Sequence, residues 1–214
     1  MTAETFPIKI YFKVNNILNA GSENTLSPIV TISVNDKIML ENYNLDNNRY
    51  DKLVQDTNTV LPEWMDVNAH EDRLRESTRT LAVDDIAVAS FNIDLDDDLE
   101  SDITMKIQLV NEDIPQHDDW GFYISDIELN EISVENLVYN TGTVDVPLCQ
   151  EEDYDDDGFI HAYLIPEGLD KNLQLIDGRY HYITNGDYLH MEESSYNFTF
   201  KTPLYLWLLE LLLQ

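Results

Sequence analysis

The stretch Thr104–Leu129, T-M-K-I-Q-L-V-N-E-D-I-P-Q-H-D-D-W-G-F-Y-I-S-D-I-E-L, decides the fold class. Both of its ends alternate apolar and polar residues, the signature of half-buried strands. In the first, Met105, Ile107 and Leu109 face one way and Thr104, Lys106 and Gln108 the other. In the second, Tyr123, Ile127 and Leu129 share one face and Phe122 and Ile124 the other, which predicts a first half covered on both sides. Between them, Val110–Phe122 gathers Glu112, Asp113, Asp118 and Asp119 into a short loop ending on Trp120. A bound cation is the simplest reason for these carboxylates to converge, and calcium takes oxygens from carboxylates, carbonyls and water. Asp113 and Asp118 flank a proline-containing turn and can point at one ion, with Asp119 and the Trp120 carbonyl in reach. The alternative is an acidic, solvated loop.

Strand signals continue on both sides. Ile8, Ile10, Phe12 and Val14 alternate with Lys9, Tyr11 and Lys13, and Pro28 precedes I-V-T-I-S-V. Asn35-Asp36 then predicts a hairpin turn into Ile38-Met39-Leu40. Phe91, Ile93 and Leu95 alternate with Ser90, Asn92 and Asp94. Farther along, Phe159–Ile165, Leu173–Ile176, Tyr180–Ile183, Tyr188–Met191 and the Tyr196/Phe198/Phe200 alternation predict an antiparallel meander. Its turns are expected at Asp177-Gly178 and Asn185-Gly186, dipeptides that tolerate positive φ. Glu41–Thr80 carries no clear pattern beyond a helical turn at Tyr50–Gln55. It also holds the basic cluster Arg73, Arg75 and Arg79, which reads as surface ion pairs or an anion site.

The chain has 214 residues, with 43% hydrophobic content and a formal charge of −30 from 42 acidic against 12 basic residues. That length suits one large β domain or two small ones, and the apolar content is sufficient for a core. The charge argues against nucleic acid as a partner, because phosphate contact needs Lys/Arg clusters. Cys149 is the one cysteine, which rules out an intrachain disulfide. Met1–Phe6 lacks the basic and apolar regions of a signal peptide, so a soluble protein is expected.

A second acidic group, Asp153, Asp155 and Asp157 before Gly158, matches the opening of a calcium loop. An EF-hand would then need a bidentate Glu where Leu164 stands, so that reading fails. A looser calcium loop and a solvated acidic linker stay open.

The chain ends T-P-L-Y-L-W-L-L-E-L-L-L-Q from Thr202. Thr202 as cap and Pro203 in the first turn predict a short helix, apolar nearly all round. It is too short to span a membrane. Leu204, Leu206, Trp207, Leu208 and Leu211 either bury against their own subunit or dock onto another, giving an oligomer or a place in an assembly.

Catalytic signatures do not stand out. The chain has no G-x-S-x-G, no phosphate-cradling Gly loop and no H-E-x-x-H, and His70, His117, His161, His181 and His190 are scattered. A non-enzymatic protein is expected.

The strand I-V-T-I-S-V-N-D-K at 29–37, M-K-I-Q-L-V-N-E-D at 105–113 and W-G-F-Y-I-S-D-I-E-L at 120–129, in that order, resemble the calcium-dependent xylan-binding type of carbohydrate-binding module over residues 6–134. The resemblance implies a jelly-roll β sandwich in which calcium, held by Asp113, Asp118 and the Trp120 carbonyl, ligates sugar hydroxyls. It also implies Asn111 and Trp120 as sugar contacts.

The expected architecture is therefore all-β. A jelly-roll-like antiparallel sandwich (1–140) leads through an acidic linker (141–157) to a smaller β meander (158–201) and an apolar docking segment (202–214). The expected function is a binding or structural module, by analogy a bacteriophage virion component on tail or capsid, with calcium-dependent recognition of a surface glycan. The alternatives are an acidic DNA mimic that inhibits a DNA-binding enzyme, and a glycan-active enzyme.

Overall fold

Two antiparallel sheets face each other across one apolar core in the computed structural model. It describes residues 4–15, 17–18, 25–48, 86–95, 100–111, 121–147, 173–189 and 193–213. The strands are β1 (Glu4–Asn15), β2 (Ile17–Leu18), β3 (Thr25–Leu26), β4 (Ile29–Val34), β5 (Lys37–Asn44), β6 (Ile86–Leu95) and β7 (Ser101–Leu109). After these come β8 (Gly121–Leu129), β9 (Ile132–Ser133), β10 (Thr143–Pro147), β11 (Leu173–Ile176), β12 (Arg179–Asn185), β13 (Tyr188–Leu189) and β14 (Ser195–Thr202). Two α-helices, α1 (Glu135–Thr141) and α2 (Leu204–Leu212), and one 3-10 turn at Asp46–Asn48 complete the described elements.

Among the described residues, one of the facing sheets runs β13-β8-β1-β6 with β9 also on β8, the other runs β11-β12-β10-β14-β7-β4-β5, and β2 pairs with β3 as a separate two-stranded ladder. The alternation expected from sequence holds in the central strands. Ile8, Ile10, Phe12 and Val14 of β1 are buried against Met105, Ile107 and Leu109 of β7 and Tyr196, Phe198 and Phe200 of β14 within one cluster. Burying a side chain of this size contributes about 1.5–3 kcal/mol. The all-β sandwich with a short C-terminal helix is the architecture that the alternation predicts.

Turn chemistry decides where strands double back. Asn35 and Asp36 adopt φ of 47° and 63°, and Val34 pairs with Lys37 across them, so the expected hairpin forms. Asp177 and Gly178, at 51° and 85°, join β11 to β12 in the same way. Asn185-Gly186 does not make a hairpin. The chain leaves the seven-stranded sheet there, and Tyr188 and Leu189 pair with Tyr123 and Phe122 of the opposite sheet.

The C-terminal strands extend the sandwich instead of standing beside it. β14 lies between β7 and β10, with Phe198 opposite Met105 and Val144 opposite Tyr196. A boundary at residue 140 would cut through this sheet and its core. Thr143–Pro147, expected as linker, is a strand of that sheet because Val144 and Val146 turn inward in alternation with Thr143 and Asp145. Phe159–Ile165, Tyr50–Gln55 and the Arg73, Arg75 and Arg79 cluster lie outside the described residues.

One further difference concerns β8. Tyr11 faces Asp126 and Phe12 faces Ile124, leaving Ser125 as an extra residue. This bulge resets the alternation, so Phe122 and Ile124 share the core face with Ile127 and Leu129 instead of opposing them. The Ser125 hydroxyl donates to the Tyr11 carbonyl at 3.0 Å. At the far side of the sandwich, Tyr43 of β5 donates to the Val88 carbonyl of β6 at 2.7 Å, joining the terminal strands of the two sheets.

Candidate functional site

The two β strands of Thr104–Leu129 belong to different sheets, β7 to one and β8 to the other. The residues between them therefore connect the sheets. Asp113, Asp118, Asp119 and Trp120 lie in that connection, outside the described residues, as do Asp153, Asp155 and Asp157. Among the described residues, no group of three His, Cys, Asp or Glu side chains could hold a metal ion.

Asn111 is described, and it is committed to the backbone. Its Oδ1 accepts from the Ile29 amide at 2.6 Å, and its Nδ2 donates to the Ser27 carbonyl at 3.1 Å. At 7% exposure it clamps the start of β4 to the end of β7. Both polar side-chain atoms of Asn111, expected as a sugar contact, are thus bonded to the backbone at the start of β4. On the other side of the connection, Tyr123 and Tyr188 are register partners whose rings stack at 4.3 Å. Nearby, burial raises the Asp187 carboxyl above its ordinary range, offset by its own backbone amide and by Lys13.

The bulge at Ser125 gives β8 an acidic outer side. Asp126 faces Tyr11, and Glu128 faces Lys9. Glu128 is well satisfied: Tyr11 donates to Oε1 at 2.8 Å and the Lys9 ammonium sits 3.1 Å from Oε2. Asp126 is not. It is 1% exposed, its Oδ1 accepts the Ile127 amide at 2.7 Å, and its Oδ2 has no hydrogen-bond partner. Burial pushes its carboxyl up to about 6, and nearby Glu135 and Glu128 add to the rise; the Ser133 hydroxyl and the Ile127 amide oppose it.

A second polar pair lies on the seven-stranded sheet, where His181 Nδ1 is 2.8 Å from Asp145 Oδ1. Ser195 is the register partner of Asp145 on β14, the strand on the other side of β10 from His181. The carboxylate thus stands between serine and imidazole. A nucleophilic relay needs the imidazole in the middle.

The terminal helix divides its docking residues between two faces. Leu204 and Trp207 are buried, and Leu208 and Leu211 pack against the core at the i, i+3, i+4, i+7 spacing of one helical face. Trp207 meets the rings of Phe198 and Phe200 at 6.3 and 6.4 Å. Leu206, expected to dock with them, is 42% exposed and shares the outer side with Tyr205, Leu209, Leu212 and Leu213. Thr202 does not cap this helix; its hydroxyl lies 2.8 Å from that of Ser101, and no side-chain cap is present. No helix among the described residues is long and apolar enough to cross a membrane.

Sequence reasoning missed Asp126, Glu128 and the His181–Asp145 pair. Asp126 and Glu128 sit at alternate positions of a strand, where acids normally read as a solvated face. The available signal was K-I-Y at 9–11 as a cross-strand complement to D-I-E at 126–128. The chain matches no family model, no curated protein and no solved structure.

Proposed function

We propose that this chain is a non-enzymatic binding or structural module, seated in a larger assembly through the outward face of α2. The observation that supports this reading is the double-sided apolar character of the helix. One side is used up on the sandwich core, while Tyr205, Leu206, Leu209, Leu212 and Leu213 remain outside, with Leu212 83% exposed. Contiguous apolar surface of this kind marks interaction sites in soluble proteins. The assembly we have in mind is a bacteriophage virion, with this module on tail or capsid; the acidic β sandwich with an apolar terminal helix suits such a place. Within the same proposal, calcium held by Asp113, Asp118 and the Trp120 carbonyl recognises a surface glycan. The Tyr123–Tyr188 stack beside the start of β8 supports a sugar-binding role for that end of the sandwich.

The test replaces Leu206, Leu209, Leu212 and Leu213 together by serine in the full chain. Sedimentation velocity is run in about 0.5 M salt, which screens the acidic surface. The wild type is expected to associate in a concentration-dependent way, and the variant to sediment as a monomer with the same melting temperature. A wild type that stays monomeric at every concentration and binds no hydrophobic dye overturns the docking role.

A further inference from the structure

The acid that the described contacts leave unsatisfied is Asp126, and its position ties it to one segment. After β8, the turn at Asn130 and Glu131 returns the chain as β9, which pairs Ser133 with Glu128 and Ile132 with Leu129. The Val134 amide donates to the Ile127 carbonyl at 2.9 Å, and α1 follows at once. The segment 132–141 is thus held to β8 directly beside Asp126. The groups facing that carboxyl are Tyr11 and Lys9 from β1, Glu128 from β8, Ser133 from β9 and Glu135 from α1. Lys9 is engaged by Glu128, and Tyr11 donates to the same residue. Ionising Asp126 therefore places a buried charge near the Glu135 and Glu128 carboxylates, offset in part by the Ser133 hydroxyl and the Ile127 amide, with burial outweighing both.

We propose that segment 132–141 is a proton-operated latch, closed on β8 when Asp126 is neutral and loosened when Asp126 ionises. The sign follows from linkage. The carboxyl is raised from 3.8 to about 6 in the folded chain. The stability gained from its proton is full below about pH 4 and is lost as pH rises through about 6. Opening the segment returns Asp126 to water and to its ordinary affinity for protons. A shift of about two units corresponds to about a hundredfold more opening at neutral pH than at pH 4. The latch also touches the aromatic row that seats α2: Val138 of α1 accepts the Tyr196 hydroxyl, and Tyr196, Phe198 and Trp207 follow one another in ring contact. The proposal stands whether or not α2 docks onto a partner.

The experiment is hydrogen exchange on the full chain between about pH 4 and 7, corrected for intrinsic exchange rates, with the Asn35-Asp36 hairpin as internal reference. The expected result is a fall in protection of about a hundredfold confined to 132–141. Asp126→Asn, which cannot ionise, should remove that pH dependence, whereas Glu128→Gln should keep it. Protection of 132–141 that is flat across the range, or that falls equally in Asp126→Asn, overturns the latch. Should that variant fail to fold, a carboxyl-carbon NMR titration of the wild type decides. An Asp126 midpoint near 6 supports the proposal, and one near 4 overturns it.

Discussion

The Tyr196 hydroxyl donates to the Val138 carbonyl at 2.9 Å, linking the strand nearest the chain's end to α1 at the core. The approach depends on Gly142, where an added Cβ would lie 2.3 Å from Tyr196 Oη and 2.4 Å from the Val138 oxygen. Tyr196→Phe should destabilise the chain by about 1 kcal/mol, since the Val138 oxygen keeps the Gly142 amide as a donor. Gly142→Ala should be worse, by about 1–3 kcal/mol, because backbone and a buried ring must both shift. Urea denaturation of both variants checks the order.

The Tyr43 bond to Val88 carries an alkaline signature. Burial pushes the Tyr43 phenol up to about 12, so the folded chain holds its proton more tightly than the unfolded one. The associated stability is intact below about pH 10 and is lost as pH rises through about 12. Burial shifts Tyr196 in the same direction. The urea midpoint should therefore fall steeply above about pH 10, and Tyr43→Phe should flatten part of that fall while lowering stability at pH 7 by about 1 kcal/mol.

The two faces of α2 should respond oppositely to substitution. Trp207→Ala empties a site against Phe198 and Phe200 and is expected to destabilise by about 3–5 kcal/mol. Leu212→Ser, on the exposed side, should change stability by no more than about 0.5 kcal/mol. Thermal melts of the two single variants make the comparison, and equal losses would contradict the assignment of faces.

The proposed calcium site and the Asn111 clamp separate by mutation. If calcium binds the 112–120 connection, it should raise the melting temperature, chelator should reverse the rise, and Asp113→Asn with Asp118→Asn should abolish it. Asn111→Ala should instead lower stability by about 1–3 kcal/mol with or without calcium, because it leaves the Ile29 amide and the Ser27 carbonyl without their partner. Calorimetric titration with calcium distinguishes the two effects.

Period-two alternation made most of this fold legible. β1, β7 and β14 bury the residues that the pattern selects, and Asn35-Asp36 and Asp177-Gly178 turn where their tolerance of positive φ predicts. Pairing across long separations was not legible. Nothing local distinguishes Asn185-Gly186, which carries the chain to the other sheet, from Asp177-Gly178, which folds it back on itself. The same limit hid Thr143–Pro147, whose short alternation becomes a strand only because β12 and β14 flank it. Of the site, the apolar face of α2 was visible as composition, but which leucines face inward depended on Phe198 and Phe200. The burial of Asp126 was invisible, because it depends on what covers β8 and not on β8 itself.

The extra residue at Ser125 acts as a change of phase along β8. Before it the strand hides its even-numbered side chains, Phe122 and Ile124; after it the hidden ones are odd-numbered, Ile127 and Leu129. A strand of strict alternation through this sequence would turn its second half inside out, setting Asp126 and Glu128 into the apolar wall and Ile127 and Leu129 outside it. That inversion follows if Ser125 is kept and the bulge is ironed out; deleting Ser125 instead leaves F-Y-I-D-I-E-L in plain alternation, with Phe122, Ile124, Ile127 and Leu129 still inward and both carboxylates on the opposite face. The odd residue of β8 is therefore harmless only because the pairing with β1 slips by one at Ser125, which keeps the acids of D-I-E-L out of the apolar wall.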